Sequence, residues 1–247
     1  GIDGFRCDVA GFVPIDFWNT AITTLRANNG PLFILAEWED PALIEAGFNA
    51  VYGWEFHHIM NEVAKGHKSV SAIAEYAAKC DTVWPTETMK MYFNTNHDEN
   101  SWNGTVEERM GDLGNAMYIL ASMMKRSFPL IYSGQETGLN HRYPFFSKDT
   151  VGLDWSKSHA QSDFFAQMLA LKHEHQALFN GELGYDMALE IDTATNSMRI
   201  WRGEEGETDE VIAIFEFSEV PGDFEAPENF DLVIEVKGAQ IWASKLD

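Results

Sequence analysis

Three short segments of this 247-residue chain place charged and polar side chains directly after an apolar run. The side chains in question are Arg6 and Asp8 in the first segment, Glu37 in the second, and Asn96, His97 and Asp98 in the third. Carboxyl groups in different surroundings can divide the work of nucleophile and general acid between them. The three segments can carry out such chemistry only if they meet in the folded chain.

Arg6 and Asp8 are expected on the same side of a strand. Side chains alternate along a strand, so Gly4, Arg6 and Asp8 share one face while Phe5 and Cys7 take the other. If the sheet closes into a barrel, Arg6 and Asp8 point inward together. A buried guanidinium beside Asp8 would hold that carboxylate ionised, which is the state a nucleophile needs.

Glu37 has different neighbours. An apolar run, "ILA", precedes it, Trp38 follows, and Glu39 is close. Apolar burial and a nearby negative charge both favour the protonated form, which suits a general acid. A nucleophile and an acid about 5 Å apart are the pair that a retaining glycosidase requires.

Each of these segments also has a simpler structural explanation. An Asp after a strand is more often a helix cap or a turn residue, and a single "NHD" is more often a hydrogen-bonded loop. Their joint occurrence at three strand ends favours chemistry. Four aromatic residues, any of which packs in a core as readily as it stacks on a sugar, are candidate stacking surfaces: Trp38, Tyr52, Trp54 and Trp102.

The order of elements predicts an α/β fold. Apolar runs at residues 1–11, 31–37, 48–54, 90–96 and 128–134 read as strands, and stretches of helical composition follow them, including one at residues 106–127. Strands that alternate with helices indicate a parallel sheet. The polar residues lie at the carboxyl ends of the strands, where the loops of parallel α/β folds bind ligands.

From about residue 183 short strands follow one another with turn residues between them and no helix, as at 197–203 and 239–247. This pattern predicts a small antiparallel β domain. We therefore divide the chain into residues 1–182, part of an α/β catalytic domain, and residues 183–247, a sandwich-like β domain.

Composition narrows the range of partners. The chain has 39 acidic and 17 basic residues and a net charge of −22, which repels a phosphate backbone, so we expect no nucleic-acid partner. No apolar run is long enough to span a bilayer. The paired histidines at 57–58 and at 173 and 175 lack a metal-ligand spacing, and we predict no metal site.

Several of these segments resemble the α-amylase family of glycoside hydrolases (glycoside hydrolase family 13). "GFRCDVAGFVP", "LAEWED" and "FNTNHDEN" are similar to the family's blocks at barrel strands four, five and seven. "FPLIYSGQETGL" looks like the strand-eight segment, and "FFSKDTVGLDW" resembles the segment after it. The resemblance runs from Gly1 to about Asn180 and implies strands four to eight of a (β/α)8 TIM barrel.

The resemblance also implies roles for individual residues. Asp8 would be the nucleophile, Glu37 the general acid/base, and Asp98 would hold sugar hydroxyls and favour the distorted transition state. Arg6 would contact the nucleophile, and His97, with Asn96 and Trp38, would contact substrate. The substrate implied is an α-glucan or a maltooligosaccharide.

The chain departs from the family pattern in two respects. Many α-amylases carry a Lys-His pair after the nucleophile that helps to bind calcium, whereas "DVAGF" stands here, so no calcium ligand is identified, although a full-length parent could still bind calcium elsewhere. The strand-three block, with another Asp and a His, has no counterpart. We expect a fragment that lacks the first strands of the barrel and is inactive alone. The sequence itself does not indicate the cellular compartment. Analogy with the family implies secretion or a periplasmic location.

The sequence is consistent with three functions. The first is a retaining α-glucan hydrolase that cleaves α-1,4 links through a covalent glycosyl-enzyme intermediate. The second is a transglycosylase or α-glucosidase of the same family, because the same carboxylates serve both. The third is a non-catalytic barrel that binds glucan.

Overall fold

The structure is a computed structural model, and it describes residues 1–151, 160–204 and 207–245. Five parallel strands form its first sheet, in the order β1-β2-β3-β4-β5. Their bounds are β1 Gly4–Cys7, β2 Phe33–Ala36, β3 Ala50–Tyr52, β4 Met89–Tyr92 and β5 Ser127–Pro129. Each of the five apolar runs therefore supplies one strand, and neighbours in sequence are neighbours in the sheet.

The parallel sheet is strongly curved. Phe33 on β2 and Phe128 on β5 bring their rings to 5.7 Å between centroids, although two strands lie between them. Three strand spacings in a flat sheet amount to roughly 14 Å. Contact between the two rings therefore shows that they point into the hollow of a curved sheet. The outer edges of β1 and β5 pair with no other strand among the described residues, so the sheet is an open part of a barrel.

Seven α-helices accompany the strands in the described part of the chain. Their bounds are α1 Ile15–Asn29, α2 Pro41–Glu45, α3 Trp54–Ala64, α4 Ser71–Val83, α5 Val106–Met110, α6 Gly114–Met123 and α7 Ala160–Glu174. Gly30, at φ 79°, ends α1 in a conformation that glycine adopts without strain. Between β4 and α5 the chain forms a π-helical turn, Glu99–Asn103, which follows directly on the "NHD" residues.

The single helix predicted over 106–127 is wrong, because this stretch is broken in two. Gly111 takes φ 54°, which an α-helix cannot accommodate, and a 3₁₀ turn at Gly111–Leu113 separates α5 from α6. The end of the stretch, at Ser127, already belongs to β5. The break changes the direction of the chain, so that buried α6 packs on the sheet while α5 lies beside α3.

The apolar side chains form two clusters. The larger joins the outer face of the parallel sheet to its helices and continues into the antiparallel sheet. The smaller fills the hollow inner face and is made of Leu35, Ala50, Tyr52, Met91 and Phe93. Strand alternation thus separates the two faces, and the inner one leads toward the carboxyl ends of the strands.

The second sheet is antiparallel and has the order β6-β7-β8-β10-β9. Its strands are β6 Asp186–Asp192, β7 Ser197–Gly203, β8 Val211–Glu216, β9 Phe230–Val236 and β10 Ala239–Ser244. Buried Arg202 links it to the helical layer by donating hydrogen bonds to the carbonyl oxygens of Met123 and Tyr185. The predicted division after residue 182 falls within the 3₁₀ turn Gly181–Leu183 and remains a prediction.

The predicted fold class is confirmed: a partial parallel barrel with helices precedes a small antiparallel β unit. In the part of the chain that the structure describes, no helix is both long and apolar enough to cross a bilayer.

Candidate active site

The three polar segments meet at the carboxyl edge of the parallel sheet. Arg6 lies on β1 opposite Leu35 of β2, with Asp8 and Glu37 just beyond these strands. His97 and Asp98 follow β4 and come within reach of Glu37: one ligand atom from each of these three side chains lies within 4.8 Å of the other two. The curvature of the sheet allows this approach, because Glu37 and Asp98 follow strands that are separated by β3.

A single guanidinium joins the two carboxylates that the sequence proposed as a catalytic pair. Nη1 of Arg6 contacts Oδ1 of Asp8, and Nη2 of Arg6 lies 2.7 Å from Oε1 of Glu37. Both amino groups belong to one planar fork, so it can reach both carboxylates only if they lie a few ångströms apart. The predicted proximity of Asp8 and Glu37 is therefore present in the fold.

Arg6 is less buried than the sequence predicted. Its side chain is 29% exposed and that of Asp8 is 77% exposed, because β1 is an edge strand here. Nε of Arg6 donates to the hydroxyl oxygen of Tyr52 at 3.1 Å. Partial burial lowers the pKa of Arg6, but the hydrogen bonds to Tyr52 and Asp8 outweigh it and raise the pKa above its ordinary value.

The backbone just after Asp8 is strained. Val9 has φ 45° and ψ 44°, the left-handed region that a β-branched residue rarely enters. In this conformation its amide N–H donates to Oε2 of Glu37 at 2.7 Å. The left-handed turn therefore ties the segment that carries Asp8 to the Glu37 side chain, and such strain, on the order of 1–3 kcal/mol, is typical of functional sites.

The surroundings of Glu37 differ from the sequence-based expectation. Both of its oxygens accept from donors, Arg6 on one side and the Val9 amide on the other. Glu39, expected to add negative charge, is engaged elsewhere: it lies 2.7 Å from the ammonium of fully buried Lys90 and accepts from the amide of Glu55. The positive group of Arg6 therefore adjoins Glu37 in this state, in addition to the carboxylate of Asp98.

Tyr52 is a site residue whose role sequence reasoning missed. It was considered only as a stacking surface, yet it is 4% exposed and its hydroxyl accepts from Arg6. Burial raises the pKa of Tyr52, and the negative charges of Glu37 and Asp98 act in the same direction. Its place at the carboxyl end of β3 was the available signal, since the other site residues also follow strand ends.

Asn96 lies elsewhere than predicted. The side chain is 1% exposed, and its Oδ1 accepts from the amide of Glu99 at 2.8 Å, which caps the π-helical turn. Its Nδ2 has no hydrogen-bond partner among the described residues. The oxygen of Asn96 is thus taken by the cap, and a substrate contact of this residue remains a prediction.

The aromatic candidates divide into covered and open rings. Trp38 lies against the turn after Val9, with its ring 5.0 Å from that of Phe12 and in the space that a Cβ at Gly11 would occupy. Trp54 packs on Tyr52 and Phe93. Trp102 is 58% exposed. Stacking on a ligand therefore suits Trp102 best, although the role of each ring stays a prediction.

A buried polar network lies behind the rim. His57 is fully buried on α3. Its Nε2 lies 2.9 Å from Oε2 of Glu99, and its Nδ1 lies 3.0 Å from the carbonyl oxygen of Phe93. A carbonyl can only accept, so Nδ1 carries a proton. Arg109 completes the network by donating to Asn61 and to the carbonyl oxygens of Asn94 and Gly104. The network holds both ends of the segment that presents His97 and Asp98.

Glu99 is ionised within this network. Burial raises its pKa. Hydrogen bonds from His57 and Asn103 and the charge of Arg109 lower the pKa by more than burial raises it, so that it falls from 4.5 to about 2. The histidines at 57 and 58 were expected to be structural. His57 is buried by packing and hydrogen bonds, and His58 stacks on Trp54.

The residues present do not fit the calcium contact of many relatives. The turn after Asp8 consists of Val9 and the 3₁₀ residues Ala10–Phe12, none of which has a side-chain oxygen. The convergence of Glu37, His97 and Asp98 does offer atoms that metals bind. The guanidinium of Arg6 beside Glu37 places positive charge at the same spot, which disfavours a cation there.

No protein-family model matches the chain. The α-amylase MalA of Haloarcula japonica is 21% identical to it over 234 residues, which cover 93% of this chain and 34% of that protein. A cyclomaltodextrinase from a Bacillus species is 23% identical over 226 residues, which cover 87% of this chain and 38% of that protein. The chain thus spans little more than a third of the length of these relatives.

Solved structures share the fold. The crystal structure of an α-amylase from Lactobacillus plantarum superposes with a TM-score of 0.73 at 22% identity and covers 97% of this chain and 60% of that chain. The segment "FFSKDTVGLDW" adds little to the comparison, because its residues 152–155 lie outside the described part. Sequence similarity and fold together confirm the predicted resemblance of the chain to the α-amylase family of glycoside hydrolases.

Proposed function

We propose that this chain carries the catalytic carboxylates of a retaining hydrolase that cleaves α-1,4-glucosidic bonds in α-glucans or maltooligosaccharides. The observation that supports it most is the bridge from one Arg6 guanidinium to both Asp8 and Glu37. Two carboxyl groups at such a short separation match the geometry of retaining enzymes. In inverting enzymes the two carboxyl groups lie farther apart and leave space for a water molecule.

Asp8 is the nucleophile of the proposed reaction. Its carboxylate attacks the anomeric carbon and forms a glycosyl ester, while Glu37 gives a proton to the departing glycosidic oxygen. Glu37 then takes a proton from water, the water oxygen attacks the same carbon, and the ester bond breaks to restore the Asp8 carboxylate. Asp98 and His97, beside Glu37, bind sugar hydroxyls.

Glu37 must change partners during this cycle. In the structure both of its carboxylate oxygens are engaged, one by Arg6 and one by the Val9 amide. To act as an acid it has to carry a proton and face the glycosidic oxygen. We infer that bound substrate takes the place of the Arg6 contact at Glu37 and leaves Arg6 in contact with Asp8.

The reaction also needs a closed barrel. β1 and β5 have unpaired outer edges among the described residues, and Asp8 is open to solvent. Strands beside β1 would cover Asp8 and separate the site from bulk solvent. We infer that the 247 residues are inactive by themselves and require the strands that complete the barrel. The name of the cyclomaltodextrinase relative points to short or cyclic maltodextrins as first substrates to test.

The decisive experiment replaces the nucleophile in the full-length protein. Asp8→Asn should reduce hydrolysis of maltoheptaose at least about a thousandfold, because the ester cannot form. The folding transition should stay in place, since the side chain is mostly exposed. Asp16→Asn, at an exposed carboxylate in the first turn of α1, is the matched control and should hydrolyse at the wild-type rate.

The same measurement separates the alternatives. Unchanged turnover of the Asp8→Asn protein would contradict the proposal, and glucan binding without turnover in the wild type would favour a non-catalytic barrel. Longer products from maltoheptaose would instead indicate transglycosylation by the same carboxylates. The 247-residue chain alone, tested in parallel, should show no turnover.

A further inference from the structure

We propose that three exposed rings beside the candidate site, Trp102, Phe145 and Phe146, form a subsite that binds sugar units farther along the glucan. We call these three residues the aromatic platform. Their exposed fractions are 58%, 39% and 87%. Large aromatic side chains grouped in contact at a surface mark binding sites more often than chance exposure. The proposal rests on the glucan-directed function proposed above.

The three rings make one continuous surface. Centroids lie 5.1 Å apart between Trp102 and Phe145, 4.7 Å between Phe145 and Phe146, and 6.3 Å between Trp102 and Phe146. The planes are inclined to one another by 37° to 77°, so the faces are stepped rather than coplanar. Such a surface suits a chain whose successive rings turn, as those of an α-linked glucan do.

The platform is continuous with the candidate site. The ring of His97 stacks on Phe145 with 6.1 Å between centroids and an interplanar angle of 29°. An imidazole nitrogen of His97 in turn belongs to the cluster with Glu37 and Asp98. A glucan held at the carboxylates and extending over His97 therefore meets the platform next.

The platform is also held in place from below. The side-chain Nδ2 of Asn100 donates to the carbonyl oxygen of His141 at 2.9 Å, and its Oδ1 accepts from the backbone N–H of Tyr143 at 2.8 Å. Arg142 donates to the carbonyl oxygen of Trp102 at 3.1 Å. These bonds join the loop that carries the two phenylalanines to the π-helical turn that carries Trp102. Binding to rings already held costs less conformational entropy than ordering them would.

A neutral sugar polymer is the occupant that these features favour. The net charge of −22 opposes polyanions. Three partly exposed rings offer well under the roughly 800 Å² per partner that a stable protein interface buries. A pyranose ring has an apolar C–H face for an aromatic ring and hydroxyl groups at its edge for water, and so needs only such a small surface.

The test compares substrates of different length in the full-length protein. Phe146→Leu keeps an apolar side chain but removes the ring, and Phe146→Tyr keeps the ring. The readout is the ratio of kcat/KM for maltoheptaose to that for maltotriose. We expect this ratio to fall about fivefold in Phe146→Leu, the size of one aromatic contact, and to stay near wild type in Phe146→Tyr. Phe17→Leu, at a 55% exposed ring on α1, should leave the ratio unchanged.

An equal loss for both substrates, or a loss of thermal stability with no change in the ratio, would overturn the platform. Calorimetric titration of the Asp8→Asn protein with maltoheptaose makes the test independent of turnover. Weaker binding after Phe146→Leu supports the platform even if the wild type hydrolyses no α-glucan, in which case only the proposed function fails. Equal binding by the two proteins would count against the platform.

Discussion

Two groups of charged side chains, which adjoin in sequence at Asp98 and Glu99, have opposite character. Arg6, Asp8, Glu37 and Asp98 form the rim cluster, where Asp8 is open to solvent and the backbone at Val9 is strained. His57, Glu99 and Arg109, with Asn61, form the buried network, where every contact is internal. The same side-chain types thus remain accessible in one place and hold the backbone in the other, and burial separates the two.

The difference is clearest between Asp98 and Glu99, which are adjacent in sequence. Asp98 lies in the cluster with Glu37 and His97, whereas Glu99 turns inward to His57. A buried, satisfied carboxylate is costly to remove because it leaves donors without partners. Removal of a rim carboxylate is expected to change the stability of the fold little and to affect mainly the proposed reaction. This distinction yields four predictions.

The largest effect is expected at the rim. Glu37→Gln in the full-length protein should lower kcat for maltoheptaose by about a hundred- to ten-thousandfold, because an amide cannot transfer the proton. With a substrate that carries a good leaving group, the variant should regain much of the rate of the first step, the formation of the glycosyl ester. A kcat within a factor of two of wild type would remove Glu37 from the proposed mechanism.

The second prediction concerns the buried network. Glu99→Gln should lower the free energy of unfolding by about 2 kcal/mol, because the amide cannot match a carboxylate beside His57 and Arg109. Urea denaturation measures the change. The matched control is Glu62→Gln, at an exposed carboxylate 3.1 Å from His67, which should leave the free energy of unfolding close to that of the wild type because solvent screens the pair. Equal losses would mean that burial does not separate the two pairs.

The third prediction follows from the lowered pKa of Glu99. A carboxyl group whose pKa is lower in the folded state stabilises the fold above its unfolded pKa and loses that contribution as the pH falls. For Glu99 the loss should run from about pH 4.5 down to about pH 2. The stability difference between wild type and Glu99→Gln should therefore shrink across this range. A constant difference would contradict ionisation of Glu99.

The smallest effect is expected at Val9. Val9→Gly removes the left-handed strain but adds freedom to the unfolded chain, and the two changes should nearly cancel, leaving less than about 1 kcal/mol in the free energy of unfolding. Thermal denaturation checks this value. A loss above about 2 kcal/mol would show that packing of the valine side chain outweighs its strain.

The sequence predicted the parallel part of the fold well and its details less well. All five strands were found, because buried parallel strands leave long apolar runs. Helix α2 and strand β6 were not predicted: α2 is short, and β6, "DMALEID", is rich in acidic residues and has no buried residue. The break at Gly111 was missed because helical composition continues on both sides of it.

For the candidate site, the sequence identified the rim and missed what supports it. Asp8, Glu37, His97 and Asp98 stand out because polar residues follow apolar strands. Tyr52 and Glu99 do not stand out, since their roles depend on partners 46 and 42 positions away along the chain, Arg6 and His57. Asn96 was assigned to the ligand, but the local turn takes its oxygen.

The sequence by itself determined the alternation of strands and helices, the two sheets and the strand ends that carry the carboxylates, because these depend on local periodicity and on parallel strands sharing one edge. Only the tertiary structure decided which charges meet. The curvature of the sheet brings Asp98 to Glu37, and the reach of one guanidinium brings Asp8 to Glu37. Distances between side chains far apart along the chain are set by packing, which no local pattern encodes.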